Sequence, residues 1–485
     1  MMEPIWTGDG GILHMAADDA RPLHRRLYFA LRDAILAGRL PPGQRLPPTR
    51  VLAAALGMGR NTVLAAYDQL AAEGYVDGRT GAGTFVRAAL GDGPALPDRP
   101  ALPQGAPRPS ALARRLSGER FHPHSAWLPF RAGVPALEEF PWEVWARLLR
   151  RRWRRPGLDL TMARDPAGLM ALRVAVADYL RESRALRCSA DQVLIVGGGQ
   201  QALDLAARLL LDPGDVVAVE DPGFRGADAA LAAAGATLAP VPVDDAGLRV
   251  EALPAQARAV LVTPSRNFPL GVTLSLERRL ALLAWARRAG AWVIEDDYDS
   301  EFRFDGRPVA SLQGLDEDGR VVYLGTFSRA LFPGLRLGYL VVPEALAETA
   351  GSVRGLLDGS PSTVHQAALA DFFDEGWFSG HLRAMRGLYA ERRSVLVEAL
   401  GSGLPISGAD GGMHLILGVA DDARLVHALA REKVEAAALS QFHRGAVSRS
   451  GLVLGFAGWP EPVLRAASAR LSRTLVSWTA RAPVR

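Results

Sequence analysis

Side chains that could form covalent intermediates are scarce in this chain. Lys433 is the only lysine among 485 residues, and Cys188 is the only cysteine. A Schiff base requires an amine that can lose its proton, which lysine provides and an arginine guanidinium, with a pKa above ~12, does not. Lys433 lies in an amphipathic helical stretch and is interpreted as solvent-exposed, and Cys188 as a buried, inert thiol. We therefore expect no disulfide and no metal site.

Several polar or glycine-rich segments directly follow apolar runs. Gly198, Gly199 and Gln200 open a predicted helix, and the N-terminus of a helix favours an anion. An acidic segment around Asp296 follows a second apolar run, and residues 325–338, which carry hydroxyl and arginine side chains, follow a third. The N-terminus of that helix predicts a site for a phosphate or other anion.

The segments that must position these residues alternate between strand and helix patterns from about residue 130 onward. Apolar runs buried on both faces, with helices between them, are typical of a mostly parallel sheet. The predicted strands are Val193–Val196, Val216–Glu220, Ala259–Thr263, Trp292–Asp296, Val321–Thr326 and Gly338–Val342. After about Pro343 the pattern becomes helical, with a small strand-containing unit near Leu452–Phe456. We therefore predict an α/β fold class with a small C-terminal α+β subdomain.

Positive charge is concentrated near the N-terminus. Residues 21–90 contain ten arginines and four acidic residues, a net charge of +6, whereas the whole chain carries +4. A basic module on a nearly neutral body is typical of proteins that bind the phosphate backbone of nucleic acids. Charge alone would be explained equally well by an arginine-rich solvated surface, so a motif has to decide.

The basic segment has the pattern of a winged helix-turn-helix. Thr49 is the predicted N-cap of a short helix, and a following helix has a buried face formed by Val63, Tyr67 and Leu70. Two short strands form a predicted hairpin wing. The predicted bounds are Leu23–Leu36 and Arg50–Leu56 for the first two helices, and residues 75–77 and 83–86 for the strands.

Composition divides the chain into three parts. Residues 21–88 form the predicted DNA-binding domain, and residues 126–485 form the predicted α/β domain. Seven prolines lie between Ala88 and Ser125, without sustained periodicity. Residues 89–125 are therefore predicted to be a semi-extended linker.

The N-terminal segment resembles the GntR family of bacterial regulators. The motifs that carry the resemblance are Leu40–Pro47, Arg60–Val63, Glu73–Tyr75 and Gly81–Phe85. The resemblance implies contacts to double-stranded DNA from Arg45, Arg50, Arg60, Asn61, Thr62, Gly81 and Ala82. For Arg45, a surface salt bridge is an equal alternative. Leu64 stands where the family often has a basic residue, which weakens the case for base recognition there.

The remaining segment resembles a fold-type I, pyridoxal-phosphate-dependent aminotransferase, and the whole chain resembles the MocR/GabR subfamily of regulators. The landmarks are Gly197–Gln201, Glu220–Phe224, Thr263–Pro269, Glu295–Phe302 and Gly325–Gly338. The resemblance implies that pyridoxal 5'-phosphate is held by Gly198, Gly199, Gln200, Phe224, Asn267, Asp296, Tyr298, Thr326, Ser328 and Arg336. Within this set Phe224 stacks on the pyridine ring, Asp296 pairs with its nitrogen, Asn267 and Tyr298 bind its phenolic oxygen, and Arg336 binds the phosphate.

Arg329 stands at the position of the Schiff-base lysine in this resemblance. We therefore expect no catalytic residue, and a cofactor that is bound noncovalently at best or replaced by another small anionic effector. Arg329 is expected to pair with Asp296 or to point toward the phosphate site, forming an arginine-rich anion site with Arg164, Arg266 and Arg336.

Other departures from the family pattern fall in the same pocket. The family usually has tyrosine and glycine where this chain has Ala163 and Arg164, and a hydroxyl residue at Gly199. It usually has histidine at Arg266. The arginine that binds the substrate carboxylate corresponds to Val453, with Arg444 and Arg449 as distant alternatives.

Three functions remain open from the sequence. The first is a homodimeric transcription regulator with a degenerate effector domain, the second a working aminotransferase fused to a DNA-binding module, and the third a ligand-independent regulator. No run of about 18 uncharged apolar residues occurs, and the N-terminal pattern is not that of a signal peptide. A cytoplasmic protein without a membrane partner is therefore expected.

Overall fold

The computed structural model describes residues 13, 21–79, 82–87, 108–118, 127–162, 165–304, 310–401 and 403–479. The chain divides into two compact units, Met1–Pro109 and Ser110–Arg485. None of the helices in these described ranges has the length and apolar character needed to cross a membrane.

The N-terminal unit has the predicted winged helix-turn-helix fold. Its elements are α1 (Leu23–Leu36), α2 (Thr49–Leu56), α3 (Arg60–Ala72), β1 (Val76–Arg79) and β2 (Gly83–Val86). The predicted stripes on α1 and α3 are buried in one apolar core. The Tyr67 hydroxyl donates a hydrogen bond to the carbonyl of Pro47 at 2.9 Å, which ties α3 to the segment before α2.

Two local predictions in this unit need correction. Thr49 is the first residue of α2, and Pro48 is the N-cap, without a capping side chain. Proline tolerates this boundary because its fixed φ suits the entry to a helix. The first wing strand begins at Val76 rather than at residue 75. In addition, Arg45 bridges to Phe85, so the segment before α2 extends the hairpin.

The C-terminal unit is built from alternating helices and strands. Its helices are α4 (Ala111–Gly118), α5 (Trp142–Arg154), α6 (Leu158–Met162), α7 (Met170–Arg184), α8 (Gly199–Leu210), α9 (Gly226–Ala233), α10 (Leu276–Ala289), α11 (Leu312–Leu315), α12 (Phe327–Ala330), α13 (Glu344–Leu357), α14 (Thr363–Asp374), α15 (Trp377–Leu400), α16 (Asp422–Arg431) and α17 (Glu461–Thr479). Helix α4 lies within the segment whose composition predicts a semi-extended linker.

The strands of this unit form one large and one small sheet. They are β3 (Val193–Val196), β4 (Val216–Asp221), β5 (Thr237–Asp244), β6 (Gly247–Leu248), β7 (Ala259–Val262), β8 (Trp292–Asp297), β9 (Val321–Thr326), β10 (Gly338–Val341), β11 (Ile406–Ser407), β12 (His414–Gly418), β13 (Ala437–Ala438) and β14 (Gly451–Gly455). The sequence did not predict β5, which contains two prolines and lies near the margin of the large sheet, where proline is tolerated.

The large sheet has the order β3-β10-β9-β8-β7-β4-β5-β6. Strands β5, β4, β7, β8 and β9 pair in parallel, and β10 runs antiparallel between β9 and β3. Strands β3, β4, β7, β8 and β9 therefore run in the same direction. Their carboxyl ends meet at one edge of the sheet, where ligands bind in open α/β folds. The small sheet, β11-β12-β14-β13, is antiparallel throughout and confirms the predicted C-terminal α+β subdomain.

Candidate functional site

The first candidate site lies on α2, α3 and the wing of the N-terminal unit. Arg50, Arg60 and Asn61 are exposed, and Thr62 is half-buried. Gly59 precedes α3, and no side-chain hydrogen bond caps this helix. The first backbone N–H groups of α3 therefore remain available to a phosphate, beside exposed guanidinium groups.

The wing carries a second part of this surface. The Arg45 side chain lies over Gly83, whose Cβ, if present, would be 2.8 Å from Arg45 Nε. Among the described residues Arg45 has no carboxylate within ion-pair distance, so the alternative of a surface salt bridge finds no partner there. Ala82 is exposed in the turn, whereas Gly81 lies outside the described residues. Leu64 is 44% exposed on α3, so its apolar side chain faces outward.

The second candidate site lies at the carboxyl edge of the large sheet. Helix α8, which follows β3, has Gly198 as its N-cap at φ +106° and no capping side chain. A Cβ on Gly198 would lie 3.6 Å from a guanidinium nitrogen of Arg336, and a Cβ on Gly199 would lie 4.0 Å from Cβ of Thr326. Gln200 is exposed at the next position. An uncapped helix N-terminus beside an arginine favours a phosphate group.

The loop after β9 completes this part of the site. Thr326 Oγ1 accepts a hydrogen bond from the backbone N–H of Ser328 at 3.2 Å, and both residues are half-buried. Arg336 is exposed and has a left-handed backbone conformation, φ +51°. A cavity of about 460 Å³ opens beside Gly197 and Arg336. The structure thus brings the N-terminus of α8, Thr326 and Arg336 together.

Three consecutive acidic residues at the end of β8 have different partners. Glu295 accepts hydrogen bonds from the backbone of α11, and Asp297 accepts one from Arg184 Nε at 2.8 Å. Asp296 is buried and has no hydrogen-bond partner among the described residues. Strand alternation explains this division because successive side chains leave opposite faces of the sheet. Of these three carboxylates, only Asp296 has no hydrogen-bond partner in the part of the chain that the structure describes.

Aromatic residues line the adjoining space. Phe268 stands edge-on to both Phe224 and Tyr298, with ring centroids 5.9 Å apart in each pair. The Tyr298 hydroxyl is buried without a hydrogen-bond partner in the described parts of the chain. Asn267 is fully buried, and its amide donates to the carbonyl of Pro222 at 3.5 Å. An unpaired buried hydroxyl costs ~1–3 kcal/mol, so a ligand oxygen next to Tyr298 would stabilise the site.

The carboxylates at this edge have perturbed protonation. Burial raises the pKa of Asp296, Asp299 and Glu220 to about 7 each. Neighbouring carboxylates raise the pKa of Asp296 further, and Arg329 opposes them. The candidate site therefore contains acidic groups that titrate near neutral pH, where a cationic ligand group would favour their ionised forms.

Arg329 lies on α12, and its side chain extends to the loop at Gly133. Its side chain is half-buried, and the guanidinium fills the space that a Cβ on Gly133 would need, at φ +73°. It interacts electrostatically with Asp299, Tyr298 and Asp296, and burial lowers its pKa. The predicted ion pair with Asp296 is not formed within 4.0 Å in the described structure, and the guanidinium instead lies against Gly133.

Arg266 is bound to the C-terminal subdomain. Its guanidinium donates to the carbonyls of Gly408 at 2.6 Å and His414 at 2.8 Å, and lies 3.6 Å from Asp299. Burial lowers the pKa of His414 to about 3, and the two nearby arginines, Arg266 and Arg329, act in the same direction. His414 is therefore neutral at physiological pH.

The predicted cluster of four arginines is divided in the structure. Arg266 and Arg329 flank Asp299, whereas Arg336 lies at the N-terminus of α8. Arg164 lies outside the described residues. Arg266 donates hydrogen bonds to backbone carbonyls more than 140 positions away in the chain. A sequence pattern cannot reveal contacts at that separation.

The two arginines considered as alternatives for binding a substrate carboxylate, Arg444 and Arg449, already form ion pairs within the protein. Arg444 pairs with Asp228 and donates to the carbonyls of Glu220 at 2.8 Å and Phe224 at 2.9 Å. Arg449 pairs with Asp245 at 2.8 Å. Val453, which stands at the clamp position by resemblance, is fully buried in an apolar cluster. Lys433 is exposed after α16, which confirms its interpretation as a surface lysine.

Sequence reasoning missed Phe268, Asp299 and Gly133 as parts of the site. Phe268 and Asp299 lie inside two landmark segments, Thr263–Pro269 and Glu295–Phe302, so their positions in those motifs were a usable signal. Gly133 carried no local signal, because its contact with Arg329 joins residues nearly 200 positions apart.

The contact between Gly133 and Arg329 gives a test of the local geometry. Gly133→Ala should destabilise the C-terminal unit by more than the ~1–2 kcal/mol of left-handed backbone strain alone, since the added Cβ also displaces the Arg329 guanidinium. The matched control is Gly376→Ala, which has φ +78° but no atom within 4 Å of the added Cβ. Urea denaturation measures both. Equal losses in the two variants would contradict the contact, and Gly133→Ala combined with Arg329→Ala should recover the difference.

The raised pKa of Asp296 predicts a pH-dependent stability. A folded-state pKa of about 7, above the ordinary ~3.9, contributes stability below about pH 4 that is lost as the pH rises through 7. Between about pH 4 and pH 7 this titration lowers the unfolding free energy of the unmodified protein by up to ~1.4 kcal/mol per pH unit. Asp296→Asn cannot titrate and does not show this decrease. The unfolding free energy of the variant relative to the unmodified protein should therefore increase from pH 5 to pH 8. Parallel pH profiles would show that Asp296 does not titrate in the folded state as described.

Comparison with known proteins places both units in families. Residues 23–86 match the family described as bacterial regulatory proteins, gntR family, and residues 131–470 match aminotransferase class I and II. The chain is 43% identical over 465 residues to the probable rhizopine catabolism regulatory protein MocR of Rhizobium meliloti, covering 92% of each chain. It is 33% identical over 452 residues to the pyridoxine biosynthesis transcriptional regulator PdxR of Corynebacterium glutamicum, covering 92% of this chain and 94% of that protein.

Solved structures show the same fold in the large unit. Kynurenine aminotransferase of Pyrococcus horikoshii superposes with a TM-score of 0.67 at 26% identity, covering 80% of this chain and 99% of the other. The α-aminoadipate aminotransferase LysN of Thermus thermophilus gives 0.67 at 28% identity, covering 77% and 96%. The chain belongs to the GntR family of bacterial transcriptional regulators, as one of the members whose larger domain is an aminotransferase class I and II domain.

Proposed function

We propose that this regulator binds double-stranded DNA through its winged helix and controls that binding with a small anionic effector held noncovalently at the sheet edge. One observation carries the proposal. The site keeps an uncapped helix N-terminus beside Arg336 and an unpaired Tyr298 hydroxyl, yet it has Arg329 where a covalent cofactor needs an amine. It retains the features of a binding site and lacks the nucleophile.

The residues present fit pyridoxal phosphate as a noncovalent ligand. Backbone groups of Gly198 and Gly199, with Arg336, would hold a phosphate, and the Tyr298 hydroxyl would bond to a ring oxygen. Asp296, which has no partner in the described structure, would accept a hydrogen bond from a ring nitrogen and become ionised. When bound, pyridoxal phosphate supplies an aldehyde conjugated to an electron-withdrawing ring. Another anionic effector could use the same phosphate contacts.

The observations favour a regulator over a working aminotransferase. Transamination needs an amine that exchanges with the substrate, and Arg329 remains protonated because a guanidinium pKa lies far above neutral. The side chains nearest to a substrate clamp, Arg444 and Arg449, are bound to Asp228 and Asp245. The unpaired groups at the sheet edge favour an effector-binding domain over a scaffold without a ligand, because they lack protein partners.

We further propose that the protein acts as a homodimer. Large apolar side chains are exposed on the C-terminal unit, including Leu158 and Met162 on α6 and Leu356 on α13, at 68%, 65% and 89% exposure. Exposed apolar side chains that cluster, as Leu158 and Met162 do one turn apart on α6, mark interaction surfaces. The resemblance to the MocR/GabR subfamily supports a second copy as the partner.

Loss of the amine predicts no covalent adduct at the site. Borohydride treatment of the protein with pyridoxal phosphate should trap none there, whereas Arg329→Lys should yield one, detected by absorbance and intact mass. The control is Lys433→Arg, which removes the only lysine and leaves the chain's terminal amine as background. A trapped adduct in Lys433→Arg that maps to the sheet edge would refute the assignment of Arg329.

Arg60 is the sharpest test of the DNA surface. Arg60→Gln should weaken DNA binding by about ten-fold and make the salt dependence shallower by about one phosphate contact, because it removes one counterion-releasing charge. Arg25→Gln is the matched control, since Arg25 is exposed on α1 and is not part of the predicted surface. Fluorescence anisotropy over a salt series measures both. Identical slopes for the two variants would remove Arg60 from the interface.

A further inference from the structure

Arg329 is a half-buried cation without a direct counterion in the described structure. In the described parts of the chain no carboxylate lies within 4.0 Å of its guanidinium, and no hydrogen bond satisfies its donors. Asp299 interacts with it from farther away, and both oxygens of Asp299 are themselves without hydrogen-bond partners. Buried charges in proteins are normally paired and hydrogen-bonded. The arrangement therefore leaves a place for an acceptor or anionic group of a ligand.

The guanidinium lies against Gly133, in the space that a Cβ at that position would occupy, so this loop borders one side of it. The five N–H donors of an arginine form a rigid planar fork without any acceptor. A ligand group that meets Arg329 must therefore accept hydrogen bonds or carry negative charge.

The location of Arg329 relates to the ring contacts of the proposed function, on which this inference rests. By resemblance, Arg329 stands where a Schiff-base lysine meets the aldehyde carbon, and it interacts electrostatically with Asp299, Tyr298 and Asp296. In a pyridoxyl ring whose nitrogen faces Asp296 and whose hydroxyl faces Tyr298, the aldehyde carbon is the substituent opposite the ring nitrogen, and a group at this position reaches it.

We propose that Arg329 makes this site selective for phosphopyridoxyl ligands with an aldehyde or carboxylate at that substituent, and against those with an aminomethyl group. The aldehyde oxygen accepts hydrogen bonds from the guanidinium, and a carboxylate accepts two at once. The ammonium of pyridoxamine phosphate has only donors and a like charge, which is a repulsive element of specificity. The arginine therefore selects which form of the cofactor binds at this site.

The test compares three ligands with the full-length protein by isothermal titration calorimetry. The probes are pyridoxal phosphate, pyridoxamine phosphate and 4-pyridoxic acid phosphate, whose carboxylate replaces the aldehyde. We expect the carboxylate to bind at least as tightly as the aldehyde, and pyridoxamine phosphate to bind at least about ten-fold more weakly, since like charges a few ångströms apart repel strongly in a buried site. Equal or tighter binding of pyridoxamine phosphate would overturn the inference.

Two variants separate selectivity from affinity. Arg329→Met removes the charge and should reduce the difference between aldehyde and aminomethyl ligands to less than about three-fold, because the repulsion is lost. Arg336→Ala should weaken all three ligands to a similar extent, since it acts on the shared phosphate. Unchanged selectivity in Arg329→Met, with an unaltered circular dichroism spectrum, contradicts the role of Arg329. Failure of all three ligands to bind the unmodified protein would overturn the proposed function itself, whereas binding without discrimination overturns only this inference.

Discussion

The Arg329 guanidinium lies between the edge of the large sheet and the loop at Gly133. Its position limits the chemistry that the candidate site of the C-terminal unit can support. A cation that cannot deprotonate stands beside buried carboxylates whose pKa values are raised to about 7 by burial. Covalent attachment of an aldehyde is excluded by its chemistry, yet the groups arranged around it keep unsatisfied donors and acceptors. In the proposed function, the fold of an aminotransferase serves to bind an effector rather than to catalyse transamination.

The two units use related physical devices for different ligands. In the N-terminal unit, α3 begins without a capping side chain next to exposed arginines. In the C-terminal unit, α8 begins in the same way beside Arg336. Both sites thereby offer backbone N–H groups and a guanidinium to phosphate oxygens. The difference lies in what surrounds them, because α3 begins at an open surface suited to a continuous polyanion whereas α8 begins beside a cavity at the edge of the large sheet.

The winged helix and the main strands of the α/β domain were predictable because short-range patterns determine them. The stripes on α1 and α3 repeat at helical spacing, and the buried runs of β3, β4, β7, β8 and β9 are continuous. The partners of Arg266 and Arg444 were not predictable, since each guanidinium binds carbonyls that any residue could supply. Strand β5 escaped prediction because its prolines argue against a strand. The contact of Gly133 with Arg329 was not predictable either, because it depends on the tertiary fold.

The bonds of Arg444 link two regions that the chain order keeps far apart. This side chain belongs to the C-terminal subdomain, yet it grips the carbonyls of Glu220 and Phe224 and the carboxylate of Asp228 in the segment after β4. Phe224 in turn abuts Phe268, which touches Tyr298 and His414. A ligand ring that packs against Phe224 would therefore contact a network that continues through Arg444 to the small antiparallel sheet.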